Sequence, residues 1–219
     1  MRVVLTGATG MVGQGVLREC LLDPEITEVV AVGRTPIPQQ HPRLRQLTVS
    51  DLAKPSLRPE ELAGFDACFF CAGVSSFRMP EEQYTHLTYE LTLSFARALL
   101  PFNPAMTFLY VSGAGTDSTE KGRVMWARVK GRTENALLHL GFKDAYMFRP
   151  GFIQPLHGIR SKTRLYQFFY DLLTPVLPIL TRRLKNSIVT TEQLGRAMIA
   201  VGRTGYARYI LDPADINSF

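Results

Sequence analysis

The sequence predicts an α/β fold, a doubly wound parallel sheet with a small C-terminal helical region, on two observations. Short runs rich in β-branched residues alternate with segments of helical apolar spacing from residue 2 to residue 153, the pattern of strand–helix–strand crossovers. Several of those runs, residues 65–73 above all, are apolar without alternation, as strands covered by helices on both faces must be.

Arg2-Val3-Val4-Leu5-Thr6 reads as the first buried strand, and Gly7, Gly10 and Gly13 follow it at intervals of three before a helically spaced run, 16–22. Each glycine has a physical task. Gly7 lets the chain reverse sharply, Gly10 removes a Cβ where an anion must approach backbone N–H groups, and Gly13 lets the helix lie close to the strand. The helix start offers free N–H groups and the positive end of its dipole. Strand, tight turn and helix start together favour a dinucleotide pyrophosphate over a purely structural turn, with Thr9, Met11 and Val12 completing the cradle. No Gly-Lys-Ser/Thr follows, which excludes a Walker phosphate loop.

The stretch TGATGMVG, Thr6 to Gly13, resembles the TGxxGxxG fingerprint of the short-chain dehydrogenase/reductase superfamily, in its extended and atypical, epimerase-like branches. The resemblance covers residues 1–155 and implies a Rossmann-type domain that binds NAD(P).

The second strand, 27–34, ends in Gly33-Arg34. A carboxylate here would hold the ribose 2′-hydroxyl of NAD, whereas the Arg34 guanidinium suits a 2′-phosphate and an adenine face, so NADP is expected rather than NAD. A proline-rich loop, 35–42, precedes a third strand, 44–49, and Ser50-Asp51-Leu52. The resemblance implies that Asp51 and Leu52 lie against the adenine; Asp51 also suits a cap on the next turn. The fourth strand ends at Cys71-Ala72-Gly73, which the family places beneath the nicotinamide ribose. One long helix is expected over 81–100, with Tyr84, Leu87, Leu91, Phe95, Ala98 and Leu99 on its apolar stripe and Pro101 stopping it. A fifth strand, 105–111, leads into Ser112-Gly113-Ala114-Gly115, a helix is expected over 121–140, and a sixth strand, 145–148, precedes Arg149. Pro150, Gly151, Phe152 and Ile153 match the family stretch beside the nicotinamide.

Catalytic members of the superfamily carry a serine after strand five and a Tyr-x-x-x-Lys on the next helix. Here Lys130 matches the lysine, Trp126 stands at the tyrosine position, and the serine position falls on Gly113, one residue after Ser112. Four-residue spacing puts Trp126 and Lys130 on one helical face. An indole N–H cannot give up its proton near neutral pH, so Trp126 cannot act as the general acid. Either Tyr84, Tyr89 or His86 on the preceding helix supplies the proton, or the protein binds NADP without fast chemistry. Trp-x-x-x-Lys-Gly resembles the Tat-interacting-protein-like group, which implies altered catalysis and a regulatory role.

The 219 residues, 46% of them hydrophobic, suffice for one domain, 1–219, with a large core. Within it residues 152–190 are set apart as a substrate or lid insertion. Nothing resembles a signal peptide, and three cysteines, two of them Cys68 and Cys71 in one strand, suit a reducing compartment, so a cytoplasmic location is expected. Cys68 and Cys71 should face opposite sides of the strand, which favours packing over redox chemistry. His41, His86, His139 and His157 lack ligand spacing, so no metal is expected. The net charge of +6 fits phosphate-bearing ligands, while no aromatic–basic pattern suggests nucleic acid.

Residues 159–184 carry a broad apolar face, including Leu165, Phe168, Phe169 and Leu172, flanked by basic residues. Three uses compete for 160–185: a lid over the substrate pocket, a homodimer face and a membrane-surface helix. Thr190 and Gln193 are spaced as a capping box for a helix to about Val201. Residues 209–211 read as a last strand. Two functions follow: an NADP-dependent oxidoreductase or epimerase-like enzyme on a small carbonyl or hydroxyl substrate, or a non-catalytic NADPH-binding regulator read by a partner.

Overall fold

The structure, a computed structural model, describes residues 1–53, 58–159 and 187–219. Seven strands form one parallel sheet in the order β3-β2-β1-β4-β5-β6-β9: β1 (Arg2–Thr6), β2 (Glu28–Gly33), β3 (Leu44–Thr48), β4 (Ala67–Phe70), β5 (Thr107–Val111), β6 (Asp144–Phe148) and β9 (Ile210–Leu211). A parallel pair, β7 (Phe152–Gln154) and β8 (Ile188–Thr190), stands apart from it. The order reverses at β1, so the chain winds outward on both sides of it.

Burial on both faces explains the continuous apolar runs. Val3, Leu5, Ala67, Phe69, Leu109 and Phe148 point into one core layer, and Val4, Cys68, Phe70, Phe108, Tyr110 and Met147 into the other. Helices α1 (Met11–Leu22) and α6 (Thr191–Thr204) cover the first layer through Val16, Leu17, Leu194 and Met198. The second lies under α4 (Leu91–Leu99) and α5 (Met125–Leu138), through Leu93, Phe95 and Leu137. The α1–α6 crossing is close because Gly15 and Gly195 lack side chains: a Cβ on Gly15 would stand 2.6 Å from the Thr191 Cβ. The capping box at Thr190 forms, with Gln193 N–H donating to the Thr190 hydroxyl at 3.0 Å and the Thr190 N–H to Gln193 Oε1 at 3.0 Å.

The helix expected over 81–100 is broken in register. It runs as α3 (Glu81–Thr85), a π-helical turn (His86–Glu90), α4 and a 3₁₀ turn (Leu100–Phe102). The wider π turn shifts the buried stripe onto Thr88, Thr92, Leu93 and Ala96 and leaves Leu87 and Leu91 half-buried. The helix expected from residue 121 starts at Met125, because the Asp117 carboxylate accepts from the Thr119 and Gly122 N–H groups, at 3.0 and 2.7 Å, and holds residues 117–122 in a turn. Two short helices were not expected, α2 (Pro59–Leu62) and α7 (Pro213–Ile216). The second starts at an Asp212–Asp215 capping box with proline in its first turn. The apolar segment 160–185, and with it most of the 152–190 insertion, lies outside the described residues.

Candidate functional site

At the carboxyl ends of β1 to β4, where the strand order reverses, lies a cleft of about 470 Å³, the position where open α/β sheets bind ligands. Its wall follows the strand ends: Gly7, Thr9, Gly10 and Met11 after β1, Arg34 after β2, Asp51 and Leu52 after β3, and Cys71, Ala72 and Gly73 after β4. On the far side it is closed by His86, Leu87 and Leu91.

The glycine turn is built by close approaches. Gly7 has φ +73°, and a Cβ on it would lie 2.6 Å from the Ala72 nitrogen; a Cβ on Gly13 would lie 2.1 Å from the Gly7 carbonyl oxygen. Gly10 is different. Its Cβ would meet only the Gly7 oxygen, at 3.3 Å, so the space beyond it is open. Gly10 also forms the N-cap of α1, which has no side-chain cap and no acidic residue in its first turn. An uncapped helix start facing a cleft leaves N–H groups that an anion can reach. The Thr6 hydroxyl ties this turn to the next strand by accepting from the Ala72 N–H at 3.3 Å.

Arg34 is exposed at the rim with no carboxylate partner among the described residues. Asp51 accepts from the Ala53 N–H at 2.8 Å, forming the expected turn cap, and Leu52 packs in the core with one edge on the cleft.

Val12 and Gly13 turn into α1 and do not line the cleft, nor do Ser112, Trp126, Lys130, Pro150, Gly151, Phe152 and Ile153. Those last seven lie farther along the same sheet edge, over β5 and β6. There the Ser112 N–H donates to Phe148 O at 2.7 Å and the Ala114 N–H to Pro150 O at 2.9 Å. Gly151 passes close under Ser187, whose carbonyl oxygen would stand 2.3 Å from a Cβ on it.

The Ser112 hydroxyl is not placed to donate to a substrate carbonyl. It lies 3.0 Å from Thr116 Oγ1, and Thr116 directs its own proton to Gly113 O at 2.7 Å. Ser112 must therefore donate to Thr116 and is left with acceptor capacity only. Trp126 packs its ring on Gly115. Half-buried Lys130 holds its Nζ 5.3 Å from the centroid of the Tyr110 ring. Burial pushes its ammonium down to about 8, against an opposing pull from Glu134. Burial also holds the Tyr110 phenol far above its ordinary range.

The three alternative donors separate by burial. Tyr84 is 2% exposed in the interior, Tyr89 lies under the Arg132 guanidinium at 4.2 Å, and His86 is exposed on the cleft wall with Nδ1 2.7 Å from the Glu90 carboxylate. Cys68 and Cys71 do face opposite core layers, and burial raises both thiols.

Sequence reasoning missed a buried ion pair behind the site. Glu134, fully buried, accepts from Arg149 Nε at 3.1 and 3.2 Å and from Arg149 Nη2 at 2.5 Å. The signals were a carboxylate one helical turn after Lys130 and an arginine at a strand's carboxyl end.

The NAD dependent epimerase/dehydratase family matches residues 3–119, more than half of the chain. Among curated proteins, leucinostatins biosynthesis cluster protein T of Purpureocillium lilacinum is 26% identical over 180 residues, covering 81% of this chain and 65% of that protein. Protein fmp52, mitochondrial, of Emericella nidulans is 29% identical over 174 residues, covering 74% of this chain and 70% of that protein. Among solved structures, the PhqB reductase domain of Penicillium fellutanum superimposes with a TM-score of 0.67 at 17% identity, covering 96% of this chain and 65% of that one. The Bordetella bronchiseptica enzyme WbmF in complex with NAD⁺ gives 0.66 at 16%, covering 99% and 76%. The chain thus spans just under two thirds of the first relative and of the first structure. The cytoplasmic location expected from the cysteines is overturned: the fmp52 relatives from Emericella and two Aspergillus species are named mitochondrial proteins. Three free cysteines suit a reducing compartment without singling out the cytosol.

Proposed function

Because the chain belongs to the NAD dependent epimerase/dehydratase family, we propose that its NAD(P)-binding reductase fold serves an NADP-dependent oxidoreductase or epimerase-like enzyme acting on a small carbonyl or hydroxyl substrate. The carrying observation is Arg34, a cation at the rim of the cleft, just past the end of β2, with no carboxylate partner among the described residues. The residues present fit the group. The uncapped α1 start and the open face of Gly10 would hold the pyrophosphate, Arg34 the 2′-phosphate, and Leu52 with Ile37 an adenine face. When bound, a reduced nicotinamide dinucleotide supplies hydride. This chain's residues bind and orient it along the sheet edge toward Lys130, Pro150 and Phe152.

The test is a thermal-shift titration of wild type and Arg34→Ala with NADPH, NADP⁺, NADH and NAD⁺, since a ligand that binds only the native state raises its melting point. The expected result is a rise with the 2′-phosphorylated forms that Arg34→Ala removes. Equal rises with NADH and NADPH in both proteins would overturn the NADP assignment, and no rise with any of them would overturn the cofactor reading.

The second reading, a non-catalytic NADPH-binding regulator, is favoured by the commitment of Ser112 to Thr116 and by Trp126. It predicts NADPH-dependent melting with no turnover across a carbonyl panel, and steady turnover would exclude it.

A further inference from the structure

Carbonyl reduction needs hydride at carbon and a proton at oxygen, and Trp126 has no proton to give near neutral pH. Tyr84 is sealed in the interior and Tyr89 is covered by Arg132. His86 sits on the wall nearest β3 and β4, paired with Glu90. Among the described residues, Lys130 is a further acid on the β5 and β6 side. Its ammonium lies against the Tyr110 ring and has no carboxylate partner among the described residues.

The absence of a partner has a cause one helical turn away. Glu134, at the i+4 position, is where a Lys130 ion pair would form, but both its oxygens are held by the Arg149 fork, and Arg149 Nη2 also reaches the Ser118 hydroxyl at 2.5 Å. Several other charges around α5 are engaged elsewhere. Glu81 of α3 pairs with Arg128 at 2.7 Å, Arg132 covers Tyr89 of the π turn, His86 pairs with Glu90, and the Asp117 carboxylate accepts from Thr119 and Gly122. Tyr110 of β5 stays a neutral phenol.

We propose that Arg149 is a positioning residue that withholds Glu134 from Lys130, leaving the Lys130 ammonium as the proton donor of the site. The proposal rests on the reductase reading. A bound reduced dinucleotide would supply the hydride for the carbonyl carbon; at the substrate oxygen a Lys130 N–H bond breaks and an O–H bond forms. Lys130 is left as a neutral amine and regains its proton from water. Partial burial, which disfavours the ammonium, suits that role because an acid works best when its pKa lies near the working pH.

The test needs no substrate. The full chain, without ligand, is pulse-labelled with acetic anhydride across a pH series, and acetylation of Lys130 is read by peptide mass spectrometry against exposed Lys121 and Lys143. Wild type should show a Lys130 labelling midpoint well below the ordinary lysine range. Arg149→Gln and Arg149→Met, which remove the cation that holds Glu134, should raise that midpoint, and each unit of rise slows labelling near neutral pH about tenfold. Glu134→Gln, which keeps an acceptor for Arg149, should move it by less than about one unit. An ordinary wild-type midpoint, no rise in folded Arg149 variants, or a large fall in Glu134→Gln would each overturn the proposal. The NADPH melting shift, measured on the same proteins, separates failure here from failure of the cofactor reading.

Discussion

The carbonyl oxygen of Asp117 stands 1.8 Å from the point where a Cβ on Gly131 would project. The loop after β5 therefore lies directly on α5, one residue past Lys130, and only a glycine admits it. Gly131→Ala should push this loop off the helix and destabilise the fold by about 1–3 kcal/mol, measured by urea unfolding. A loss below about 0.5 kcal/mol, the size of an ordinary surface change, would show that the contact yields easily.

Gly10 and Gly13 should separate binding from folding. Gly13→Ala places a methyl group 2.1 Å from the Gly7 oxygen, while Gly10→Ala meets the same oxygen only at 3.3 Å. Gly13→Ala is expected to express poorly or melt many degrees lower. Gly10→Ala should fold with a near-native melting point and lose most of its NADPH-induced rise, because the added methyl faces the phosphate path. An unchanged rise in Gly10→Ala would contradict the assigned path.

Breaking the Arg149–Glu134 pair from one side should be costly. Arg149→Ala takes from fully buried Glu134 the fork that holds both its oxygens, leaving it to Lys130 one turn away, and should cost about 3–5 kcal/mol, whereas replacing both residues with apolar ones of similar volume should recover much of that loss. Equal stabilities of the single and double variants in urea would refute this.

Stability near Lys130 should depend on pH with a definite sign. Burial lowers its pKa from 10.5 to about 8, so between those values the unfolded chain binds more protons than the folded one. Folding is then penalised fully below about pH 8 and progressively relieved toward 10.5. Lys130→Met should be stabilised relative to wild type at neutral pH, with the difference shrinking as pH rises through that window. A difference independent of pH would place the ammonium in water.

The alternation of apolar runs and helices, the glycine turn after β1 and the basic end of β2 were legible because each depends on local pattern: burial on both faces demands continuous apolar strands, and a tight turn demands glycine at fixed offsets. The π turn at His86–Glu90 was not legible. Its sequence has helical spacing, and the extra residue in the turn shows only in which side chains reach the core. The start of α5 was misread for a related reason, since Asp117 holds residues 117–122 through side-chain bonds that compete with helix.

By itself the sequence determined the doubly wound sheet and the glycine turn after β1, because these follow from residue identity and spacing along one chain. Only the tertiary structure decided that Ser112 donates to Thr116, that the cleft wall ends before Lys130, and that Arg149 claims Glu134. Those outcomes rest on distances between side chains up to fifteen residues apart on different elements. A carboxylate with two candidate cations pairs with the one that the packing of strand against helix brings within reach.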